Sequence, residues 1–314
     1  MNFPSIIFFG TPKLSVYTLK ELFEKGFNIK AVVTKIDKPC GRNRKPQYPP
    51  VKIFALRKKI PVFQPVTLRD VTFQDSIRDL NPDFFVVIAF GKILPGKLLR
   101  IPNKDSLNIH FSILPKYRGA SPVATAILHG EKETGVSIIQ VAKKLDCGDI
   151  FFIVKDTISN DENTCDVEDK LIKTGTEALI KVINNYYKFS EVRIKQNDDN
   201  ASFAPILKKE DGKINWSESA ELISRKIRAF NPWPCAQTKF KDRYIKLIKS
   251  EVSEKTYSDS EPGTIIDFIT KHGFVISCGT GALIIKELQP ANKRKMTAVD
   301  FINGYRLQLG DKFN

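Results

Sequence analysis

The fold of this 314-residue chain is decided by the stretch Phe84-Phe85-Val86-Val87-Ile88. A β-strand with one face in water alternates apolar and polar residues, whereas this run is apolar throughout. Such a run is typical of a strand that is buried on both faces, as in a parallel sheet covered by helices. The stretch therefore predicts the central strand of an α/β sheet.

Short apolar runs and helical patterns alternate on the N-terminal side of this stretch. The predicted strands cover residues 6–9, 29–34 and 62–64, and the predicted helices cover residues 14–23, 51–56 and 73–80. This alternation predicts an α/β fold with a Rossmann-like parallel sheet and helices on both of its faces.

The first predicted strand is followed by Gly10-Thr11-Pro12. A dinucleotide-binding turn has the pattern Gly-x-Gly-x-x-Gly, and the second and third glycines are missing here. The sequence thus excludes an NAD-linked oxidoreductase. We interpret Gly10-Thr11-Pro12 as a plain turn between a strand and a helix.

The C-terminal third of the chain has a different pattern. Residues 194–204 are mostly polar, and we interpret them as a linker between a domain over residues 1–193 and a domain over residues 205–314. A helix is predicted over residues 217–230, capped by Ser217. It precedes short strand-like runs at residues 236–240, 244–248, 263–269, 273–277 and 281–288. Their length and spacing predict a small OB-like β-barrel.

Composition limits the class of protein. The apolar fraction of 42% is that of a globular protein, and the net charge of +15 favours a polyanionic partner such as nucleic acid. A Lys- and Asn-rich sequence from an AT-rich genome would show the same excess of positive charge. Charge alone therefore gives modest support to nucleic-acid binding.

The cysteines and the N-terminus indicate a reducing compartment. The five cysteines form no Cys-x-x-Cys pair and there are only three histidines, so we expect neither disulfides nor a metal site. The first residues have no basic region or cleavage site, and no apolar stretch is long enough to span a membrane. We expect a cytoplasmic protein, in a bacterial cytosol or an organellar matrix, with no membrane partner.

Three polar side chains indicate chemistry. Asn108 and His110 are two residues apart near the end of a strand, a spacing that points both side chains to one face of the sheet. Asp146 lies in the turn Leu145-Asp146-Cys147-Gly148-Asp149. An amide and an imidazole can stabilise an oxyanion, and a carboxylate can accept and return protons. The set predicts a site for acyl transfer.

This spacing resembles the folate-dependent formyltransferases, which carry Asn-x-His, then Ser-Leu-Leu-Pro, then Leu-Asp-x-Gly-Asp. Here Ser112-Ile113-Leu114-Pro115 departs from the second motif by one Leu-to-Ile change. The resemblance implies 10-formyltetrahydrofolate as the formyl donor, no metal, and Asn108, His110 and Asp146 as catalytic residues. It also implies a folate pocket lined by Phe90, Gly91, Lys92, Ile93, Leu94, Ser112, Ile113, Leu114 and Pro115.

Further segments resemble the branch of the family that formylates initiator methionyl-tRNA. They are Lys213-Ile214-Asn215-Trp216, Arg228-Ala229-Phe230-Asn231-Pro232-Trp233-Pro234, Glu261-Pro262-Gly263-Thr264-Ile265 and Leu288-Gln289-Pro290-Ala291. The resemblance covers nearly the whole chain. We expect the enzyme to be a monomer. Three alternatives stay open: a sugar-nucleotide N-formyltransferase, a hydrolase that releases formate from the same folate, and a tRNA-binding protein without catalysis.

The loop over residues 35–50 contains four prolines and a glycine, which predict irregular structure. In the methionyl-tRNA branch the matching loop reads Asp-x-Pro-x-Gly-Arg and inserts into the acceptor arm. Asp37, Pro39, Gly41 and Arg42 fit that spacing. The predicted tRNA contacts are Arg42, Arg44 and Lys45 at the tip of this loop and the basic residues Lys239, Lys241, Arg243, Lys293, Arg294 and Lys295 of the predicted barrel, for which the alternative is a solvated basic surface.

Overall fold

The chain forms two structural units. The computed structural model describes residues 3–40, 45–258 and 260–314, apart from the side chains of Cys40, Lys45 and Pro46. The first unit comprises Met1–Pro122, Glu133–Thr157 and Glu168–Ala204. The second unit comprises Val123–Lys132, Ile158–Val167 and Pro205–Asn314.

The strands fall into an N-terminal and a C-terminal group. The first group is β1 (Ser5–Gly10), β2 (Asn28–Val33), β3 (Lys38–Cys40), β4 (Lys45–Gln47), β5 (Val62–Phe63), β6 (Phe84–Ile88), β7 (Asp105–His110), β8 (Arg118–Gly119), β9 (Glu133–Gln140), β10 (Ile150–Thr157) and β11 (Phe203–Ala204). The second group is β12 (Ala236–Phe240), β13 (Arg243–Val252), β14 (Ile265–Ile269), β15 (Gly273–Ser277), β16 (Ala282–Pro290) and β17 (Met296–Thr297).

The helices vary widely in length. They are α1 (Lys13–Glu24), α2 (Pro50–Arg57), α3 (Val71–Asp79), α4 (Gly96–Leu99), α5 (Pro122–His129), α6 (Thr164–Asn184), α7 (Tyr186–Glu191), α8 (Ala220–Ala229) and α9 (Ala298–Tyr305). Among the residues that the structure describes, no helix is both long and apolar enough to cross a membrane.

The first unit is built on a sheet whose order, over the described residues, is β10-β9-β7-β6-β1-β2-β5. The five strands from β7 to β5 are parallel. Every residue of β1 and β6 is buried, and the rings of Phe9 and Phe85 on these neighbouring strands lie 4.9 Å apart. The prediction of a Rossmann-like parallel sheet with a doubly buried central strand is confirmed.

Two features of this unit differ from the expectations. Strands β9 and β10 run antiparallel to their neighbours, so the sheet is mixed. The loop over residues 35–50 was expected to be irregular, yet β3 and β4 pair with Pro39 opposite Pro46. Proline has no N–H to donate, and two prolines that face each other occupy a pair that needs no hydrogen bond. That expectation was wrong for β3 and β4.

The second unit contains a barrel-like antiparallel sheet. Its order over the described residues is β12-β13-β16-β15-β14, with β17 beside β16. The last residues of the chain join the two edge strands: Phe313 pairs with Phe240 of β12, and Lys312 pairs with Thr264 next to β14. The N–H of Lys239 donates to the carbonyl of Asn314 at 2.8 Å. The prediction of a barrel-like C-terminal domain is confirmed.

The start of α8 differs from the prediction. We expected a helix from residue 217 with Ser217 as its cap. Instead, the side chain of Asn215 accepts from the N–H of Ser217 at 3.1 Å and forms a turn before the helix. Ser219 is the cap, since its hydroxyl accepts from the N–H of Leu222 at 3.2 Å. The prediction of Ser217 as cap was wrong by two residues.

Glu168 in α6 makes stability depend on pH. Burial raises the pKa of this carboxyl to about 7 from 4.5, and repulsion from Asp169 adds to the rise. The pKa of Glu168 is higher in the folded than in the unfolded protein. Its contribution to the free energy of unfolding is therefore fully present below pH 4.5 and is lost as pH rises through about 7. We expect Glu168→Gln to be more stable than the wild type at pH 8 by on the order of 2 kcal/mol, with no gain at pH 4.

Urea unfolding at both pH values checks this expectation. Glu177→Gln is the matched control, because Glu177 is an exposed carboxylate on the same helix. A wild-type-like pH dependence in Glu168→Gln would contradict the assignment.

Candidate active site

Strand β7 carries Asn108 and His110 at the carboxyl end of the parallel strands. Asn108 lies opposite Val87 of β6, and His110 lies opposite Ser137 of β9. Because the two residues are two apart in a strand, their side chains lie on the same face of the sheet. His110 is buried, while Asn108 is half-buried. The amide of Asn108 has no hydrogen-bonding partner among the described residues and can therefore donate to a ligand.

The ring of His110 is held by one hydrogen bond. Its Nε2 lies 2.9 Å from the carbonyl oxygen of Tyr117. A carbonyl can only accept, so Nε2 carries a proton and donates it to this bond. The other ring nitrogen, Nδ1, lies 3.5 Å from Oδ2 of Asp146. Nδ1 is thus the ring nitrogen that remains for chemistry.

Asp146 is fixed by its turn and by one backbone amide. The residue has a φ of 51°, which places it in the left-handed region. Its Oδ2 accepts from the N–H of Gly119 at 2.9 Å. Gly119 has a φ of 130°, and a Cβ there would lie 2.2 Å from the carbonyl oxygen of Ala204. Only glycine fits between Asp146 and Ala204, which makes this N–H a fixed anchor for the carboxylate.

The Ser112–Pro115 segment forms a turn that is held by hydrogen bonds to Lys116 and to Ser137 of β9. The hydroxyl of Ser112 donates to the carbonyl of Lys116 at 2.7 Å. The hydroxyl of Ser137 donates to the carbonyl of Ser112 at 2.7 Å and accepts from the N–H of Leu114 at 3.1 Å. Leu114 is buried against Ile139, whereas Ile113 is half-buried. The turn brings the Tyr117 carbonyl back to His110.

The residues predicted to line a folate pocket after β6 divide into core and surface. Phe90 and Leu94 are buried in the core of the first unit, with the Phe90 ring 5.5 Å from Phe9. Ile93 is 66% exposed, and Gly91 is exposed with a φ of 69°. The ammonium of Lys92 donates to the carbonyls of Pro65 and Val66. Ile93 and the Gly91 backbone are the parts of this segment that face outward.

A buried arginine is connected to the Asp146 turn through one glutamine. Arg118 is 3% exposed, and its guanidinium donates twice to Oε1 of Gln196, at 3.0 and 2.8 Å. Gln196 in turn donates from Nε2 to the carbonyls of Asp146 and Gly148 at 2.8 and 2.7 Å. Arg118 is therefore linked to the Asp146 turn through Gln196.

The segment over residues 194–204, interpreted from the sequence as a linker, is bonded to this site. Asp198 accepts from Arg118 at 2.8 Å, and this bond lowers the pKa of its carboxyl. The hydroxyl of Ser202 accepts from the N–H of Tyr117 at 2.9 Å, and β11 pairs with β8. None of these contacts was predicted, because Gln196 and Arg118 lie 78 residues apart and no local pattern connects them.

The basic residues predicted on β12 and β13 lie next to aromatic rings. The ammonium of Lys239 lies 4.9 Å from the ring centre of Tyr244, which is 57% exposed. Lys241 and Arg243 are also exposed, and Arg243 lies 5.7 Å from the ring of Tyr305. Cations beside an exposed aromatic ring suit contact with phosphates and unstacked bases.

The other predicted basic residues differ in what surrounds them. Lys293, Arg294 and Lys295 are exposed between β16 and β17, and Lys295 pairs with Glu287 at 2.5 Å. Arg42 and Arg44 lie outside the described residues, as does the side chain of Lys45. In the described part of the chain, no group of three or more His, Cys, Asp or Glu side chains is placed to hold a metal ion.

Comparison of the sequence with known proteins identifies the family to which this chain is similar. Residues 5–183 match the family described as formyl transferase, and residues 206–306 match the formyl transferase C-terminal domain. The methionyl-tRNA formyltransferase of Sulfurihydrogenibium sp. is 38% identical over 309 residues, which are 98% of this chain and 99% of that protein. The methionyl-tRNA formyltransferase of Citrifermentans bemidjiense is 40% identical over 97% of this chain and 95% of its own length.

The solved structures agree with the fold. The sugar 3N-formyl transferase WlaRD, crystallised in the presence of dTDP and 5-N-formyl-THF, superimposes with a TM-score of 0.63 at 24% identity. The alignment covers 94% of this chain and 100% of that chain. At this identity the likeness concerns the fold alone. Since the first family match spans more than half of the chain and the relatives align along nearly all of it, the chain belongs to the formyl transferase family.

Proposed function

We propose that this protein transfers a formyl group from 10-formyltetrahydrofolate to the α-amino group of initiator methionyl-tRNA, giving N-formylmethionyl-tRNA. The observation that carries the proposal is the position of His110, whose Nε2 is committed to the Tyr117 carbonyl while Nδ1 faces Asp146. The identity of 38–40% to methionyl-tRNA formyltransferases, along nearly the whole chain, supports the choice of acceptor.

The side chains divide the chemistry between charge stabilisation and proton transfer. The amine attacks the formyl carbon, a C–N bond forms, and negative charge develops on the formyl oxygen. Asn108 donates its amide N–H to this oxygen. His110 donates to it through Nδ1 in the doubly protonated form of the ring, because the proton on Nε2 is already bound to the Tyr117 carbonyl. Each donor of this kind typically contributes about 3 kcal/mol to the stability of the transition state.

Asp146 accepts and returns the proton that the attacking amine loses. Its carboxylate lies 3.5 Å from Nδ1 of His110, next to the nitrogen that faces the reacting groups. It accepts the proton that the amine loses, through a water molecule. The C–N10 bond of the donor then breaks as the carbonyl re-forms, and the proton passes to N10 of tetrahydrofolate.

The alternatives fit less well. The sugar formyl transferase WlaRD is 24% identical, well below the methionyl-tRNA formyltransferases. A hydrolase would use water, which needs no basic and aromatic surface such as that of Lys239 and Tyr244. A binding protein without catalysis would not need a carboxylate beside a histidine whose Nε2 is bound to a backbone carbonyl. A parallel assay of formyl transfer to charged initiator tRNA, transfer to an amino-sugar nucleotide, and release of free formate separates these functions.

We expect His110→Ala and Asp146→Asn each to lower kcat for methionyl-tRNA by about 10²–10³, the usual effect of losing an oxyanion donor or its partner. Both variants should keep the fold and the affinity for tRNA, since neither side chain belongs to the tRNA surface. Formyl transfer, circular dichroism and a tRNA-binding titration check this. Turnover near the wild-type value in either variant would exclude the mechanism.

We expect Gln196→Ala to lower kcat more than it changes KM, although Gln196 itself does not touch the substrate. The substitution leaves Arg118 with Asp198 alone as its side-chain partner and removes the donor to the Asp146 carbonyl, which also costs on the order of 1–3 kcal/mol of stability. Gln196→Glu keeps a partner for Arg118 but cannot donate to the carbonyls, so it should restore stability more than kcat. Asn200→Ala, at an exposed position of the same segment, is the control. Equal kcat values in all three variants would refute a positioning role.

We expect replacement of Lys239, Lys241 and Arg243 by Gln to weaken binding of all tRNAs alike. The slope of log affinity against log salt should flatten by roughly 2–3 units, at about 0.7–0.9 per phosphate contact. Arg42→Ala should instead reduce kcat/KM for initiator tRNA selectively, with the KM for folate unchanged. Measuring both variants on cognate and non-cognate charged tRNAs tests the difference, and identical behaviour would refute a specificity role for Arg42.

A further inference from the structure

A second polar cluster lies at the carboxyl ends of β1, β2 and β6. The register pairs Phe9 with Val33 and Gly10 with Ile88. The residues that follow these pairs, Thr11 and Lys35, therefore leave the sheet at the same edge as His110. With strands about 4.8 Å apart, β2 lies roughly 14 Å from β7 along this edge.

Lys35 carries a positive charge that no described carboxylate pairs with. Its Nζ lies so close to the Gly91 backbone that a Cβ on Gly91 would be 2.6 Å from it. Among the described residues, Lys35 has no ion pair and its ammonium has no hydrogen-bond acceptor. The Asp37 carboxylate is not available to it, because Oδ2 accepts from Lys52 at 2.7 Å and Oδ1 accepts from Gln64 at 2.8 Å.

The charges around Lys35 are also positive. Burial lowers the pKa of its ammonium, and repulsion from Lys38 and Lys92 lowers it further. The ammonium of Lys92 donates to two neutral carbonyls, which leave its charge uncompensated. An anion bound at Lys35 would be attracted by all three positive charges and would reduce the repulsion among them.

Two buried hydroxyls at this edge lack partners. Thr34 is 1% exposed, and its Oγ1 has no hydrogen-bonding partner in the described part of the chain. The Oγ1 of Thr11 is buried and equally without a partner there. Buried polar atoms are nearly always hydrogen-bonded, so two orphaned hydroxyls at the sheet edge where Lys35 lies indicate a place where a polar group binds.

We propose that Lys35, with Thr11 and the backbone at Gly91, forms a subsite for one oxyanion of a substrate beside the formyl-transfer centre. The inference rests on the proposed function, in which both substrates carry such a group. The oxyanion is either the glutamyl carboxylate of the folate or a phosphate near the aminoacylated end of the tRNA. Gly10-Thr11-Pro12 is then part of a binding site and not a plain turn.

Charge reversal at one position is not needed to test the subsite, because matched neutral variants suffice. Lys35→Gln removes the charge, and Lys35→Arg keeps it. Lys30→Gln makes the same change in net charge near the other end of β2, roughly 16 Å away. The measured quantities are kcat, and KM for 10-formyltetrahydrofolate and for charged initiator tRNA separately.

We expect Lys35→Gln to raise the KM for one substrate about tenfold or more, with kcat within about twofold of the wild type. Lys35→Arg should restore most of that KM, and Lys30→Gln should change neither KM. A raised KM for folate identifies the carboxylate. A raised KM for tRNA, with a salt slope reduced by about one unit, identifies the phosphate. If Lys35→Gln changes neither KM more than Lys30→Gln does, the subsite is refuted.

Binding without turnover separates this inference from the proposed function. If the wild type transfers no formyl group to methionyl-tRNA, the proposed function fails. Titration of 10-formyltetrahydrofolate and of tRNA against the wild type and Lys35→Gln still tests the subsite. Equal affinities for both ligands in the two proteins would refute it, and a weaker affinity for one of them would support it.

Discussion

The buried charge of Arg118 is the constraint on which the site depends. A guanidinium out of contact with water is costly unless its donors are paired, so Arg118 requires Gln196 and Asp198 beside it. Once Gln196 is placed there, its own amide binds the carbonyls of the Asp146 turn. A residue that never faces the substrate thereby determines where the carboxylate next to His110 can lie.

Local periodicity was sufficient to predict much of the fold. The apolar run at residues 84–88 and the alternation before it depend on which residues are buried, and burial determines the pattern of apolar residues within each strand or helix. Strand direction is not recorded in that way, and β9 and β10 turned out to be antiparallel. The pairing of Pro39 with Pro46 was missed for a similar reason, since composition gives no information about which residue lies opposite.

The candidate site was predictable in its residue types but not in its geometry. The spacing of Asn108 and His110 showed that they share a face, and the structure places Asp146 beside the histidine. No sequence pattern could show which ring nitrogen is free, because that depends on the backbone carbonyl of Tyr117. Nor could a comparison with Gly-x-Gly-x-x-Gly show that the hydroxyl of Thr11 would be buried without a partner.

The closure of the barrel by residues 311–314 has a consequence during synthesis. Both strands that these residues join, β12 and β14, leave the ribosome earlier. Until the closing segment follows, each presents a row of unpaired backbone groups, which is a template for association with other nascent chains. Pairing with the closing segment occupies backbone groups on both edges, and so removes part of that template.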